Sequence, residues 1–172
     1  MSKSLGYYDC RYEYELIKDI AETWGDNLEK ITELDQVWLI ARLSSHYWMQ
    51  HCDGTPTELA QEVDLRLEEL PQNQLGALIQ ALANKSSTKP LGYWACNYEY
   101  KLIMDIAESY NELQDMNEID QTWLLGRCAD FYFVTFNYDD ITSSDEADEV
   151  VRRMPTLPAH QIYCLIQALA NK

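Results

Sequence analysis

Residue types that carry chemistry are sparse in this 172-residue chain. There are three histidines and six scattered glycines, so no Gly-rich phosphate loop can be assembled. The five cysteines, Cys10, Cys52, Cys96, Cys128 and Cys164, are odd in number and form no C-x-x-C pair. That speaks against a disulfide framework or a zinc site. No apolar run approaches the ~18 residues of a membrane span, and the first ten residues contain no signal-peptide core, so a cytoplasmic location is expected. Glycine and proline are too few, and apolar residues too many, for a disordered chain.

Positive charge is also scarce. Thirteen basic side chains face 29 acidic ones, a net charge of −16. Residues 1–85 carry 7 basic and 15 acidic groups, and residues 86–172 carry 6 and 14, so each half is −8. The acidity belongs to the folded unit and not to a tail. Such a field opposes direct binding to nucleic acid or to an anionic membrane, and favours a protein partner with a basic surface. Solubility alone is the plainer explanation.

What the chain does have is internal similarity. Leu34-Asp35-Gln36-Val37-Trp38-Leu39-Ile40-Ala41-Arg42 returns as Ile119-Asp120-Gln121-Thr122-Trp123-Leu124-Leu125-Gly126-Arg127. Leu5-Gly6-Tyr7 matches Leu91-Gly92-Tyr93, Tyr12-Glu13-Tyr14 matches Tyr98-Glu99-Tyr100, and residues 78–85 match residues 165–172. The offset is 86 residues, shortening to 85 at the Asp-Gln-x-Trp-Leu stretch and reaching 87 at the ends. A unit of this length is too long for a solenoid repeat and long enough for a small core of its own. We read the chain as all-α, a tandem duplication of a four-helix unit: a first repeat over 1–85, a linker over 86–90 and a second repeat over 91–172. Pseudo-twofold packing of the two is expected, as duplicated units often mimic a homodimer.

Apolar spacing places the helices. Cys10, Tyr14, Ile17, Ala21 and Trp24 recur every three or four residues and predict a helix over 8–24, ended by Gly25. Cys96, Tyr100, Ile103, Ala107 and Tyr110 repeat that stripe. Thr32, with its counterpart Asn117, is a cap for a second, nearly all-apolar helix running to about His51. Ala41 and Ser44, replaced by Gly126 and Ala129, are small enough to admit another helix closely. Thr55-Pro56-Thr57-Glu58 reads as a capping box for the third helix, and Ser143 with Glu146 as its equivalent. The acidic stretch 137–146 lacks EF-hand spacing and its turn glycine, so helix capping explains it better than calcium. The fourth helix is expected over 72–85.

The duplication acts as an internal control on candidate chemistry. His46 aligns with Phe131, His51 with Phe136 and His160 with Asn73, so no histidine is kept in both halves. Cys10 and Cys96 are kept, but on the inward stripe and without a kept histidine to activate them. No pair of carboxylates is placed together in an apolar setting, as a general acid requires. Arg42 and Arg127 follow the tryptophans by one turn. Stacking on Trp38 and pairing with Asp35 or Glu13 accounts for Arg42 better than anion binding does.

These absences predict a non-enzymatic protein–protein interaction module with no cofactor and no metal. On the predicted first helix, Tyr12 and Tyr98 project opposite the apolar stripe beside Asp19 and Asp105. With Tyr8 and Trp94 they form the candidate partner-contact set, tyrosine being enriched at interfaces. Contact with another segment of the same chain is the bland alternative. Two other functions fit the composition: an acidic inhibitor that mimics nucleic acid and occludes a basic partner, and a carrier whose 20 aromatics line a pocket for a flat ligand or pigment.

Overall fold

The computed structural model describes residues 3–137 and 141–172. Among these there are eight α-helices and no strand: α1 (Glu15–Trp24), α2 (Glu33–His51), α3 (Glu58–Leu65), α4 (Gln72–Ala83), α5 (Lys101–Ser109), α6 (Glu118–Phe136), α7 (Asp145–Arg153) and α8 (Ala159–Ala170). Short 3-10 turns over Leu5–Tyr8 and Leu91–Trp94 precede α1 and α5. No helix among the described residues is long and apolar enough to cross a membrane.

The two 19-residue helices, α2 and α6, are the axis of the molecule, and they pack mainly on each other. Small residues set their approach. A Cβ built on Gly126 would sit 3.0 Å from Ser45 Oγ and 3.7 Å from the Ala41 carbonyl oxygen. α8 packs on α2 and α4 packs on α6, so each long helix is flanked by a helix from the opposite half of the sequence. Ile40, Leu43, Leu75, Leu78, Leu125 and Leu165, nearly inaccessible, belong to this core. Burying side chains of this kind stabilises the fold by about 1.5–3 kcal/mol each.

The Asp-Gln pair at the start of each long helix works across the halves. Asp120 is buried and accepts from the backbone N–H of Thr57 at 2.8 Å, the Thr57 hydroxyl at 2.6 Å and the Tyr110 hydroxyl at 2.9 Å. Asp35 accepts from the backbone N–H of Ser144 at 2.9 Å and its hydroxyl at 2.6 Å. Thr57 and Ser144 are the N-caps of α3 and α7. Each hydroxyl thus donates to the carboxylate while accepting from its own helix, from Ala60 or Ala147. The glutamines do the converse at helix C-termini. Gln36 Nε2 donates to the Leu169 carbonyl at 2.6 Å, and Gln121 Nε2 to the Leu82 carbonyl at 2.8 Å, adding a donor to carbonyls of the last turn.

The matching C-terminal segments meet each other. Asn84 and Asn171 exchange amide hydrogen bonds, each Nδ2 donating to the other's Oδ1 at 2.9 Å. Gln80 and Gln167 add donations to the same two oxygens.

Three local expectations are revised. The first helix begins at Glu15 and not near residue 8: Asp9 takes a left-handed conformation that ends the 3-10 turn, and Tyr14 is extended at the N-cap. The stripe Cys10–Tyr14–Ile17 joined residues of two elements that face one core. The N-caps of α3 and α7 are Thr57 and Ser144, two and one residues beyond those expected, because only these reach the cross-half carboxylates. The fourth helix of each half ends at Ala83 or Ala170.

Two stability predictions follow from this packing. Asp120→Ala strands three donors and Asp35→Ala two. Buried unsatisfied groups cost about 1–3 kcal/mol each. Urea denaturation should therefore show the first variant less stable than the second by about 1 kcal/mol or more, and equal midpoints would mean that the Tyr110 hydroxyl adds nothing. Gly126→Leu should cost about 1–3 kcal/mol by wedging α2 from α6, whereas Gly126→Ala should be nearly neutral, since the gain of up to ~1 kcal/mol in helix propensity offsets a contact that the Ser45 hydroxyl can rotate away from.

Candidate functional site

Each half opens with a hook made of the 3-10 turn and the loop that leads into α1 or α5. The hook is closed by the tyrosine singled out from the sequence. The Tyr12 hydroxyl donates to Asp26 and accepts from the Gly6 N–H at 3.3 Å. The Tyr98 hydroxyl donates to Glu112 at 3.0 Å and accepts from the Gly92 N–H at 2.9 Å. The approach is tight in the second hook, where a Cβ on Gly92 would lie 3.0 Å from the Tyr98 ring, and ordinary in the first, where one on Gly6 would lie 3.4 Å from Tyr12. Both hydroxyls are held protonated, first by burial and then, after discounting the backbone N–H, by the carboxylate beside them; Tyr12 is pushed up to about 12.

Tyr12 and Tyr98 therefore do not stand on the polar face of a helix, as the extended first helix implied. They precede it, and their polar ends are used inside the hook. Part of each ring remains outward, with Tyr12 42% exposed. Tyr8 and Trp94 are half-buried against the core. Asp19 and Asp105 are separated from these aromatics and paired across the halves: Asp19 with Arg153 Nη1 at 2.8 Å, Asp105 with Arg66 Nη1 at 2.8 Å. Arg66 also meets Glu69 at 2.7 Å, and its hydrogen bonds are the main reason that both carboxyls lie below the usual range.

The most exposed aromatics of the hooks are the neighbouring tyrosines, which the helical periodicity did not single out. Tyr7 and Tyr93 are 65% and 61% exposed. Tyr7 stands edge-on to Tyr8 with centroids 5.0 Å apart, and Tyr93 edge-on to Trp94 at 4.8 Å. Lys3 and Lys89 lie over the two tyrosine rings at 5.1 and 5.2 Å. The signal was present in the aligned Leu-Gly-Tyr triplets, but it reads as a surface only once the glycine is seen to close the hook.

Both hooks are seated on a helix of the opposite half by a buried glutamine. Gln161 on α8 donates to the Asp9 carbonyl at 3.1 Å and accepts from the Arg11 N–H at 2.7 Å. Gln74 on α4 does the same to Ala95 and Asn97, at 3.2 and 2.7 Å. One hook also brings ionisable groups together. The Asp9 carboxylate lies 2.8 Å from His160 Nε2, which is 3.5 Å from Cys164 Sγ. Asp9 is 151 positions from His160, so no motif could reveal the cluster.

Arg42 and Arg127 stack on Trp38 and Trp123 at 6.0 and 5.9 Å. Among the described residues Arg42 forms no ion pair with Asp35 or Glu13; the Asp35 carboxylate meets Ser144, and Glu13 lies 4.0 Å from Arg11. His46 and His51 touch ring to ring, 6.3 Å between centroids. Cys10 and Cys96 are buried, and burial pushes both thiols up to about 12, the reverse of nucleophile activation. Asp139 and Asp140 of the acidic stretch lie outside the described residues. Among the aromatics weighed as ligand-lining, Tyr132, Phe133 and Phe136 line a cleft of about 220 Å³ with Glu33 and Gln72. The chain matches no protein-family model, no curated protein and no solved structure.

The Arg66 clamp has a defined pH response. Both carboxyls have lowered folded-state values, so their stabilising contribution is present above the unfolded carboxylate range, about pH 4, and is lost as pH falls through the folded values. Arg66→Gln should remove part of the loss seen in urea midpoints on going from pH 7 to pH 3. Parallel profiles for the two proteins would show that the clamp adds no pH dependence.

Proposed function

We propose that this chain is a non-enzymatic interaction module, an adaptor or regulator, that docks on another protein through its two aromatic hooks. The supporting observation is the repeated presentation of an exposed tyrosine on a pinned backbone: Tyr7 and Tyr93, each braced edge-on by a half-buried aromatic. A rigid aromatic anchor gives contact area at little entropic cost, which is how tyrosine contributes most at interfaces. Tyr8, Trp94, Tyr12 and Tyr98 contribute by holding these rings in place and by the ring area they leave outward. Asp19 and Asp105 act as supports within the chain.

The same reading includes a tandem duplication packed with pseudo-twofold symmetry. It is favoured by reciprocal contacts between aligned residues: Asp35 with Ser144 and Asp120 with Thr57, Gln36 with Leu169 and Gln121 with Leu82, and Asn84 with Asn171. A twofold arrangement would present the hooks as an equivalent pair. The net charge of −16 favours a partner with a basic face over nucleic acid or an anionic membrane.

The test is capture from nuclease-treated native lysate, washed at low and high salt, with wild type and the double variant Tyr7→Ala, Tyr93→Ala. The module reading expects a partner that survives the high-salt wash and is lost in the variant, while the variant's thermal midpoint stays within a few degrees of wild type. The −8 charge on each half supports one competing reading, an acidic inhibitor that mimics nucleic acid. That reading expects a nucleic-acid-binding protein captured at low salt, lost at high salt and indifferent to the tyrosines.

A further inference from the structure

Asp9, His160 and Cys164 bring one carboxylate oxygen, one imidazole nitrogen and one sulfur within 4.8 Å of one another. We propose that they form a binding site for a single borderline divalent cation, for which Zn²⁺ has the right donor preference. Zinc takes sulfur, imidazole nitrogen and carboxylate oxygen together, at bond lengths that put tetrahedral donors roughly 3.3–3.6 Å apart. Sulfur and Nε2 are already separated by 3.5 Å. Nε2 and the Asp9 oxygen, at 2.8 Å, are joined by a hydrogen bond. They need open by only about half an ångström for the cation to replace the shared proton.

The donors are pre-positioned by the fold. His160 and Cys164 are one turn apart on α8 and so share a face. Asp9 comes from the hook, and its backbone is fixed to the same helix by Gln161, which is itself buried. Cys164 forms the inner wall at 3% exposure, whereas the side chains of Asp9 and His160 are about 60% exposed. Three protein donors with one side open to solvent is the arrangement in which water or a substrate atom completes the zinc shell. A carboxylate and a thiolate would balance the charge of the ion. The second Asp9 oxygen faces Arg11 at 4.0 Å and stays outside the donor set.

The second half supplies an internal comparison. There Gln74 holds the corresponding hook in the same way, but the positions of Asp9, His160 and Cys164 are occupied by Ala95, Asn73 and Ala77. The glutamine clasp serves the fold in both halves. The three donors, drawn from both halves, occur together at one hook only, and the fold is built without them at the other.

The decisive experiment titrates the full-length, reduced protein with Co²⁺ and then competes with Zn²⁺. The expected result is one equivalent of Co²⁺ showing a thiolate-to-metal charge-transfer band and four-coordinate visible bands, all displaced by Zn²⁺. His160→Asn and Cys164→Ala install the residues of the other half and should leave circular dichroism unchanged. Each should lower affinity at least about 100-fold, since loss of an outer-shell partner alone costs 10–100-fold. His46, His51 and Cys52 remain in these variants, so an ion bound among them would persist. The proposal is overturned if the wild type shows no thiolate band, or if binding survives unchanged in a folded Cys164→Ala protein.

Discussion

Two buried carboxylates hold the architecture together. Asp35 and Asp120 lie in the first turns of α2 and α6, and each reaches out of its own half to grip the N-cap of a helix in the other. A buried carboxylate is expensive unless every lone pair is used. Here the cost is offset by two or three donors that themselves need acceptors. The start of α3, the start of α7 and the relation between the long helices are thereby determined together. The neighbouring glutamines extend this logic to the carbonyls at the ends of α4 and α8. An Asp-Gln pair and a following tryptophan–arginine stack thus account for the residues that this stretch shares with its counterpart.

The hooks depend on the same interlocking. Gln74 and Gln161 carry them on helices of the opposite half, and the tyrosine hydroxyls close them onto glycine N–H groups. The rings turned furthest to solvent are Tyr7 and Tyr93, beside the partly outward Tyr12 and Tyr98. The proposed function rests on this separation of roles. The tyrosine that is chemically engaged is structural, and its neighbour, two residues after the hook's buried leucine, is presented outward.

Much of the helical content was legible in the residues. The caps Thr32 and Asn117, the apolar faces of α2 and α6, the small residues at their crossing and the stacking of Arg42 on Trp38 all follow from local spacing. The limits were equally physical. A period of three to four cannot distinguish one helix from a 3-10 turn followed by a helix when both face one core, which is why α1 seemed to begin near residue 8. The backbone N–H groups of Asp35 and Asp120 serve their own helix caps, Thr32 and Asn117, but their carboxylates do not. Their true partners lie 109 and 63 residues away, and sequence spacing carries no information about such contacts. The same distance concealed the meeting of Asp9 with His160 and Cys164.

The reciprocal amide pair of Asn84 and Asn171 sits beside the short connection formed by residues 86–90. If the halves arose as copies, that tether changes the thermodynamics of their association. Pairing between separate chains depends on concentration, whereas a short tether supplies an effective concentration on the order of millimolar regardless of abundance. It also frees the two surfaces to evolve apart. In a dimer of identical chains every substitution appears twice, but here one hook and its supporting helix can carry an aspartate, a histidine and a cysteine at positions where the other pair carries alanine, asparagine and alanine.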